Sequence, residues 1–548
     1  VEQPFLTRAH YRLLFGLLGV VYLFGLFVPL MDHDSAHHAD IALRMYLTGD
    51  YVNLMDKGRD YLDKPHLHFW LSAFSYELFG VTGFAYKFPS FLFTLLGTYA
   101  TYRLGRTLYG EETGRLAALV VATAFGYILA NNDVRMDAIL TASIVLATWQ
   151  GVEWIERRQW PNALGLALGL ALGFSTKGHI AVAVPGVGLL LYMAYRRAWR
   201  VLLHRQVVLI LLAFALFISP VVYCYYLQYD LHPEKVVRGR NNISGVQFIL
   251  WSQNTERLQG DSFGASGKND YLFFFHSFLW AFAPWCLTGF WTYASRLKSF
   301  FTRRHEWLTP GSFTVVLLLV TFSGFKLPHY LNIIFPVTAV MTASWLLEQN
   351  NRRYRTLLLI QAVLCSLVLL AAILLNAWAL PVQNWAIGAG MIAIAIILVL
   401  LLRKQRTRLQ RLVVVSAGTS ILAWFSLNAN FYPRLLSYQS GNGLAPAINR
   451  EADGAHVYFW EGSYRWSLNF YTRTVHQDFH DSLLHTGKPV WIAAPEAALP
   501  DIQARYRTGR IFAHNDYRVS VLSARFLNPA RRNEVLERFV VAEVLGRK

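Results

Sequence analysis

Asp34, His37 and His38 recur at i, i+3, i+4 inside the stretch MDHDSAHHADIALRMYLTGDYVNLMDKGRDYLDKP, residues 31–65. On a helix that spacing brings a carboxylate and two imidazoles to one face, a donor set that suits a divalent metal. Neither an HExxH pattern nor a zinc-type cysteine pair accompanies it. A second acid, Asp137, stands in the turn NNDVRMD. Both acids lie where an apolar run gives way to a loop, and an ionisable group at the edge of a membrane bundle is costly unless it is used. Each also has a plainer reading as a helix cap, since Asp32, Asp34 or Ser35 would cap a helix starting near Ala36 and Asp137 one starting at Ala138. A loop as long as 31–65 is functional or disordered. Ile41, Leu43, Met45, Tyr46 and Leu47 read as one face of a short helix, which favours order.

Lys64, Lys177, Arg257, Lys326 and His329 form the cationic counterpart. A lipid-linked phosphate would satisfy them, because its charge sits at headgroup depth while its chain lies in the bilayer. The alternative for any one of them is snorkelling to ordinary anionic headgroups. Lys177 and Lys326 occur where a helix is interrupted by Gly or Pro, and the short runs Ala163–Phe174 and Ala181–Tyr195 predict one broken element. His66 and His68 open KPHLHFWLSAFSYELFG, an aromatic segment too short to span that suits an amphipathic helix lying in the headgroup region.

These groups need a scaffold, and composition indicates which. The chain has 548 residues, 54% hydrophobic and only 15% charged, the balance of a polytopic α-helical membrane protein. A helix crossing a ~30 Å hydrocarbon core needs about 20 apolar residues. Runs from Leu13–Leu30 to Leu412–Leu427 give about thirteen such spans, with a first loop at 31–83 and a second large loop at 228–270. Residues 432–548 are polar and predict a small α/β domain, with strands at Val457–Trp460, Val490–Ala494 and Val519–Phe526 and helices near Leu444–Glu451 and Asn528–Leu545.

Every second connection is basic: Arg8 and Arg12, Arg103 and Arg106, Arg157 and Arg158, and so on to Arg403, Lys404 and Arg406. By the positive-inside rule that side is cytoplasmic, so the N-terminus is inside while Asp34, Asp137, Lys64, Lys326 and the 432–548 domain are outside. The net charge of +18 is therefore largely topological, and nucleic acid is not an expected partner. Cys224, Cys286 and Cys365 lie in apolar runs and read as buried small hydrophobes. The first apolar run lacks a small-residue cleavage site and reads as a retained helix.

HDSAHHADIALRMYLTGDY with YLDKP, then MDAIL, STKGHIAVAVP and FSGFKLPHYLNIIFP, together resemble the GT-C membrane glycosyltransferases. Among these the chain is most similar to the aminoarabinose transferases that modify lipid A, relatives of the protein O-mannosyltransferases. The resemblance implies a bacterial inner-membrane monomer with a periplasmic site, a sugar carried on undecaprenyl phosphate, lipid A as acceptor, and polymyxin resistance as the outcome. It places Asp34 and Asp137 as the catalytic acids. Tyr61, Lys64, Arg257, Lys326, His329 and Tyr330 fall to the donor phosphate and its lipid. The chain departs from the family pattern in having Asp34-Ser35 for Asp-Glu, Asp63-Lys64-Pro65 for Glu-Lys-Pro, and His38 for a tyrosine.

In that reaction an acceptor phosphate, already anionic at neutral pH, needs little help from a base. Asp34 would then orient the acceptor or stabilise positive charge developing on the sugar. No cofactor is required, with a divalent metal at His37 and His38 the one exception to test. The alternatives are a related transferase using another polyprenyl-linked sugar or a protein hydroxyl, and a lipid-linked sugar transporter. The last would carry repeat symmetry and midplane binding groups, whereas here the polar groups crowd one face.

Overall fold

The computed structural model describes residues 5–252, 270–323, 326–349, 351–451, 456–475, 477–486 and 490–548. Arg257, expected at the donor phosphate, lies outside the described residues. The chain begins with α1 (Arg8–Leu26), started by Thr7, whose hydroxyl accepts from the His10 N–H at 3.3 Å. There follow α2 (Asp34–Thr48), α3 (Leu67–Phe79), α4 (Gly83–Tyr109), α5 (Glu111–Ala122), α6 (Phe125–Asn132), α7 (Asp137–Arg157), α8 (Trp160–Lys177), α9 (Ile180–Arg196) and α10 (Gln206–Tyr225). Further apolar helices run at Leu308–Thr321, Phe335–Glu348, Asn351–Ile373, Trp385–Arg403 and Arg408–Ser426.

Among the described residues, each apolar run expected to span is helical over most of its length. By length and composition, seven of the described helices are able to cross a membrane, and α5 with α6, bent by 53°, makes an eighth if the pair is one span. The other expected spans are shorter or more polar. The run Tyr271–Tyr293 is two helices, Phe273–Ala281 and Cys286–Ser299, interrupted at Pro284. The expected broken element is instead the pair α8 and α9, 18 and 17 residues long and joined through Gly178 and His179. Each is close to spanning length by itself, at about 1.5 Å of rise per residue.

At the centre lies α7, buried on all sides and packed by α4, α8 and α9, which is why its sequence carries no polar stripe. Small residues allow the closest approach: a Cβ at Gly169 of α8 would stand 2.7 Å from the Ala147 amide nitrogen of α7. The wholly buried Lys87 of α4 donates to the Val28 carbonyl at 2.6 Å and the Gly25 carbonyl at 3.2 Å. It thereby satisfies the orphan carbonyls at the end of α1, where the chain leaves for α2.

Between α1 and α4 the chain builds the outer layer. Gly49 closes α2 at φ +68°, a left-handed position that glycine takes without strain. A short antiparallel hairpin follows, β1 (Met55–Asp56) with β2 (Arg59–Asp60). His68, Phe69, Ser72, Ala73 and Tyr76 bury one face of α3 while Phe74 and Leu78 remain exposed on the other. That is the two-sided character expected of a helix at headgroup depth.

The polar region carries a four-stranded sheet in the order β3-β4-β6-β5, comprising β3 (Val457–Phe459), β4 (Val490–Pro495), β5 (Tyr506–Asp516) and β6 (Glu537–Arg547). The first pair is parallel and the others antiparallel. Here the expectation fails twice. Val519–Phe526 is not a strand, and the helix expected over Asn528–Leu545 is mostly β6. Phe539, Val540, Val541, Ala542 and Glu543 are all buried, so β6 is covered on both faces and loses the alternation that marks a half-buried strand.

Candidate active site at the outer end of the bundle

α2 starts at Asp34, two residues before the expected Ala36, and His33 at its N-cap makes no side-chain capping bond. Asp34 is therefore not a cap, and the neighbouring acids are engaged elsewhere. The Asp32 N–H donates to Gln439 Oε1 at 2.8 Å, and its carboxylate accepts from the Ser467 N–H at 3.0 Å. Asp40, less than two turns along α2, accepts from the Tyr464 hydroxyl at 2.6 Å and from the Asn469 amide. Residues of the 432–548 region thus hold α2 on both sides of Asp34. Burial pushes the Asp32 carboxyl up to about 6 and the Asp40 carboxyl up to about 7, against the pull of these donors.

Asp34 itself keeps 47% of its side chain exposed, and its Oδ2 lies 2.8 Å from Arg135 Nη1. Arg135 stands in the turn between α6 and α7. The same guanidinium donates to Asp133 Oδ2 at 2.8 Å and approaches His329 Nδ1 at 3.0 Å. Burial works against its charge, but Asp133, Asp34 and Asp137 more than offset this and hold Arg135 above its ordinary value. One rigid fork of donors thus joins three chain segments. Since Arg135 can only donate, His329 Nδ1 accepts, which leaves the His329 proton on Nε2.

His329 Nε2 faces Asp137 Oδ2 at 3.8 Å, and Lys177 donates to Asp137 Oδ1 at 3.0 Å. Only 4% of the Asp137 side chain is exposed. Asp137, expected as a second catalytic acid, has Lys177 at one oxygen and His329 Nε2 facing the other, and its side chain makes no capping bond. Lys177 lies 4.8 Å from the Tyr330 ring centre. Lys177, His329 and Tyr330, expected around a phosphate, are thus brought together with Asp137, and Lys177 is committed to a buried ion pair rather than to a free anion site.

On the other flank, Lys64 lies 2.5 Å from Asp63 Oδ2 with 17% of its side chain exposed. Burial first, then the nearby His37, His68, Lys64 and Arg135, drive His38 well below the usual imidazole range. It is therefore a neutral ring. Tyr61 is pushed up by burial and by the carboxylates of Asp63, Asp56 and Asp34, which places it in the same group. His68 Nε2 donates to the Tyr86 hydroxyl at 3.0 Å and Tyr86 donates to the Val134 carbonyl at 2.9 Å, pinning the residue next to Arg135.

The expected metal pair behaves differently. His37 Nε2 lies 3.2 Å from Asp56 and its ring packs on Tyr61 and Trp466, while His38 turns into the core. Among the described residues no group of three or more His, Cys, Asp or Glu side chains is arranged to hold a metal ion. Lys326 donates to the Asp270 carbonyl at 3.0 Å and lies over the Tyr271 ring, at the opposite end of the KLPHY turn from the residues that meet Asp137. Asp133 and Arg135 were not among the expected site residues. The usable signal was an arginine between two acids in a turn that does not belong to the basic set of connections, the same departure that singles out Lys64 and Lys326.

Residues 63–224 match the family described as dolichyl-phosphate-mannose-protein mannosyltransferase. Over 329 residues the chain is 29% identical to the undecaprenyl phosphate-alpha-4-amino-4-deoxy-L-arabinose arabinosyl transferase of Pseudomonas paraeruginosa, covering 56% of this chain and 55% of that protein. A second transferase of that name, from Sodalis glossinidius, is 31% identical over 199 residues, 34% of this chain and 35% of its own length. The chain thus aligns with about half the length of the first of these relatives. Among solved structures, ArnT from Cupriavidus metallidurans bound to undecaprenyl phosphate superposes with a TM-score of 0.74 at 18% identity, covering 97% of each chain. The chain shares the fold of that structure. Within it, the family match takes in Lys64, Asp137 and Lys177 and begins after Asp34, so the half-exposed acid is contributed by the segment just before the matched stretch.

Proposed function

We propose that this GT-C protein is an integral-membrane glycosyltransferase that moves aminoarabinose from undecaprenyl phosphate to phosphate groups of lipid A. The observation that carries the reading is Asp34, a half-exposed carboxylate fixed at 2.8 Å by Arg135 beyond the end of the apolar helix α1. The names of the sequence relatives support the choice of sugar and carrier.

In the reaction, an oxygen of the acceptor phosphate attacks the anomeric carbon of the sugar. A new carbon–oxygen bond forms as the bond to the undecaprenyl phosphate oxygen breaks, and the departing electron pair stays on that phosphate. An acceptor already ionised needs no base, so Asp34 is assigned to stabilise positive charge on the sugar ring and to orient the acceptor. Lys64 is assigned to the leaving phosphate, with Arg257 and Lys326 on the loop side and Tyr61 beside the lipid. Asp137, Lys177, His329 and Tyr330 are positioning residues, acting through Arg135 on Asp34. The protein is read as a monomer of the bacterial inner membrane, with its N-terminus in the cytoplasm and both the site and residues 432–548 in the periplasm.

The test is to incubate the purified chain with lipid A and inner-membrane polyprenyl lipids and to weigh the products. Lipid A gaining one or two aminopentose units supports the reading. A different sugar on lipid A, or a sugar on a protein hydroxyl, replaces the substrate assignment. A chelator is expected to leave the yield unchanged, and loss of transfer that added magnesium or manganese restores would reinstate a metal.

A further inference from the structure

At the far end of α1 from Asp34, an open groove of about 400 Å³ lies between α1, α4 and α5, lined by Arg8, Tyr11, Arg12, Phe15, Leu95 and Arg115 among others. α1 runs Arg8–Leu26, so at about 1.5 Å per residue Arg8, at the outer rim of the groove, lies about 27 Å along the helix axis from the end that leads to Asp34. That distance is close to the thickness of a bilayer's hydrocarbon core. The groove therefore faces the opposite leaflet from the candidate active site, and the proposed reaction does not use it.

Its polar groups are unevenly committed. Arg115 is tied to Glu111 at 2.9 Å and Glu112 at 3.1 Å. The Tyr99 hydroxyl accepts from Arg103 at 2.7 Å, and the Tyr102 hydroxyl donates to Glu111 at 2.9 Å. Arg8 and Arg12 are exposed and have no carboxylate within 4.0 Å among the described residues. Tyr11 is only 6% exposed, yet its hydroxyl has no hydrogen-bond partner among the described residues. A buried phenol without a partner costs of the order of 1–3 kcal/mol. Above these groups the wall turns apolar, with Phe15 half-buried and Leu95 exposed at bilayer depth.

We infer that this groove binds one anionic phospholipid of the leaflet opposite the active site. Its phosphate accepts from Arg8, Arg12 and the Tyr11 hydroxyl, and its acyl chains lie along Phe15 and Leu95. A lipid is the occupant chosen because cationic and apolar walls adjoin at headgroup depth, where a free anion would satisfy only the first.

The experiment is native mass spectrometry of the full chain released from phosphatidylcholine nanodiscs containing a minor fraction of phosphatidylglycerol. The wild type should retain one phosphatidylglycerol that Arg8→Ala/Arg12→Ala binds about 30-fold more weakly, at about fivefold per arginine. Tyr11→Phe, which removes only the hydroxyl, should weaken retention about fivefold. A melting temperature no lower than that of the wild type shows that each variant is folded. If Arg8→Ala/Arg12→Ala retains phosphatidylglycerol as the wild type does, or phosphatidylcholine is held equally well, the proposal is overturned. Displacement of the lipid by millimolar inorganic phosphate would equally overturn it, in favour of a free-anion site.

Discussion

Arg135 sets the Asp34 carboxylate by geometry rather than by proton transfer, because its fork spans Asp34, Asp133 and His329 at hydrogen-bond distance. Asp34→Asn keeps the shape and removes the charge, so transfer should fall by about 10²–10³ while the chain stays folded; turnover near wild type in the reconstituted assay would remove Asp34 from the chemistry. Arg135→Met should lower transfer as well, through a mispositioned Asp34, without abolishing retention of the undecaprenyl phosphate donor measured on nanodiscs. Lys177 answers a different question, since its partner Asp137 is buried and it is itself only 11% exposed. Lys177→Met leaves a buried carboxylate uncompensated and should cost about 3–5 kcal/mol of stability. The double variant Lys177→Met/Asp137→Asn should regain a good part of that loss in a thermal melt, which a phosphate-binding lysine would not do.

At the scale of elements, α2 is held by the segment Tyr464–Asn469 through two buried acids. Asp40 has an ordinary carboxyl value of 3.8 and is raised to about 7 when buried against Tyr464. The folded chain thus binds this proton more tightly than the unfolded one. The resulting contribution to stability is complete below about pH 4 and is lost as pH rises through about 7, and Asp32, raised to about 6, adds in the same direction. The melting temperature should therefore fall between pH 4 and pH 7, and Asp40→Asn should flatten that fall. An equal slope in the variant would show that Asp40 is not the titrating group. None of this coupling was legible in the chain order, because Asp32 and Asp40 meet partners more than 400 residues away.

For the whole molecule, the alternation of basic connections predicts orientation, and it can be read directly. Cysteine placed at the exposed Arg59 should react with a membrane-impermeant maleimide on spheroplasts, and cysteine at the exposed Arg406 only after the membrane is opened, since the three native cysteines are buried. The reverse pattern would invert the topology. Sequence by itself determined the apolar runs, helical over most of their length among the described residues, because crossing a bilayer imposes length and composition locally. It also drew attention to Asp34, an ionisable group at the edge of an apolar run, and to Lys64 and the KLPHY turn, where a cation breaks the alternation of basic connections. Only the tertiary structure decided which charges cancel one another. Asp137 shows its pairing with Lys177 and its approach to His329 only in the fold, and Arg135 looked ordinary until three segments met at its guanidinium. Likewise β6, wrapped on both faces, lost the alternation that would have announced a strand. Periodicity and composition are properties of neighbours along the chain, whereas ion pairing and two-sided burial depend on segments that meet only after folding.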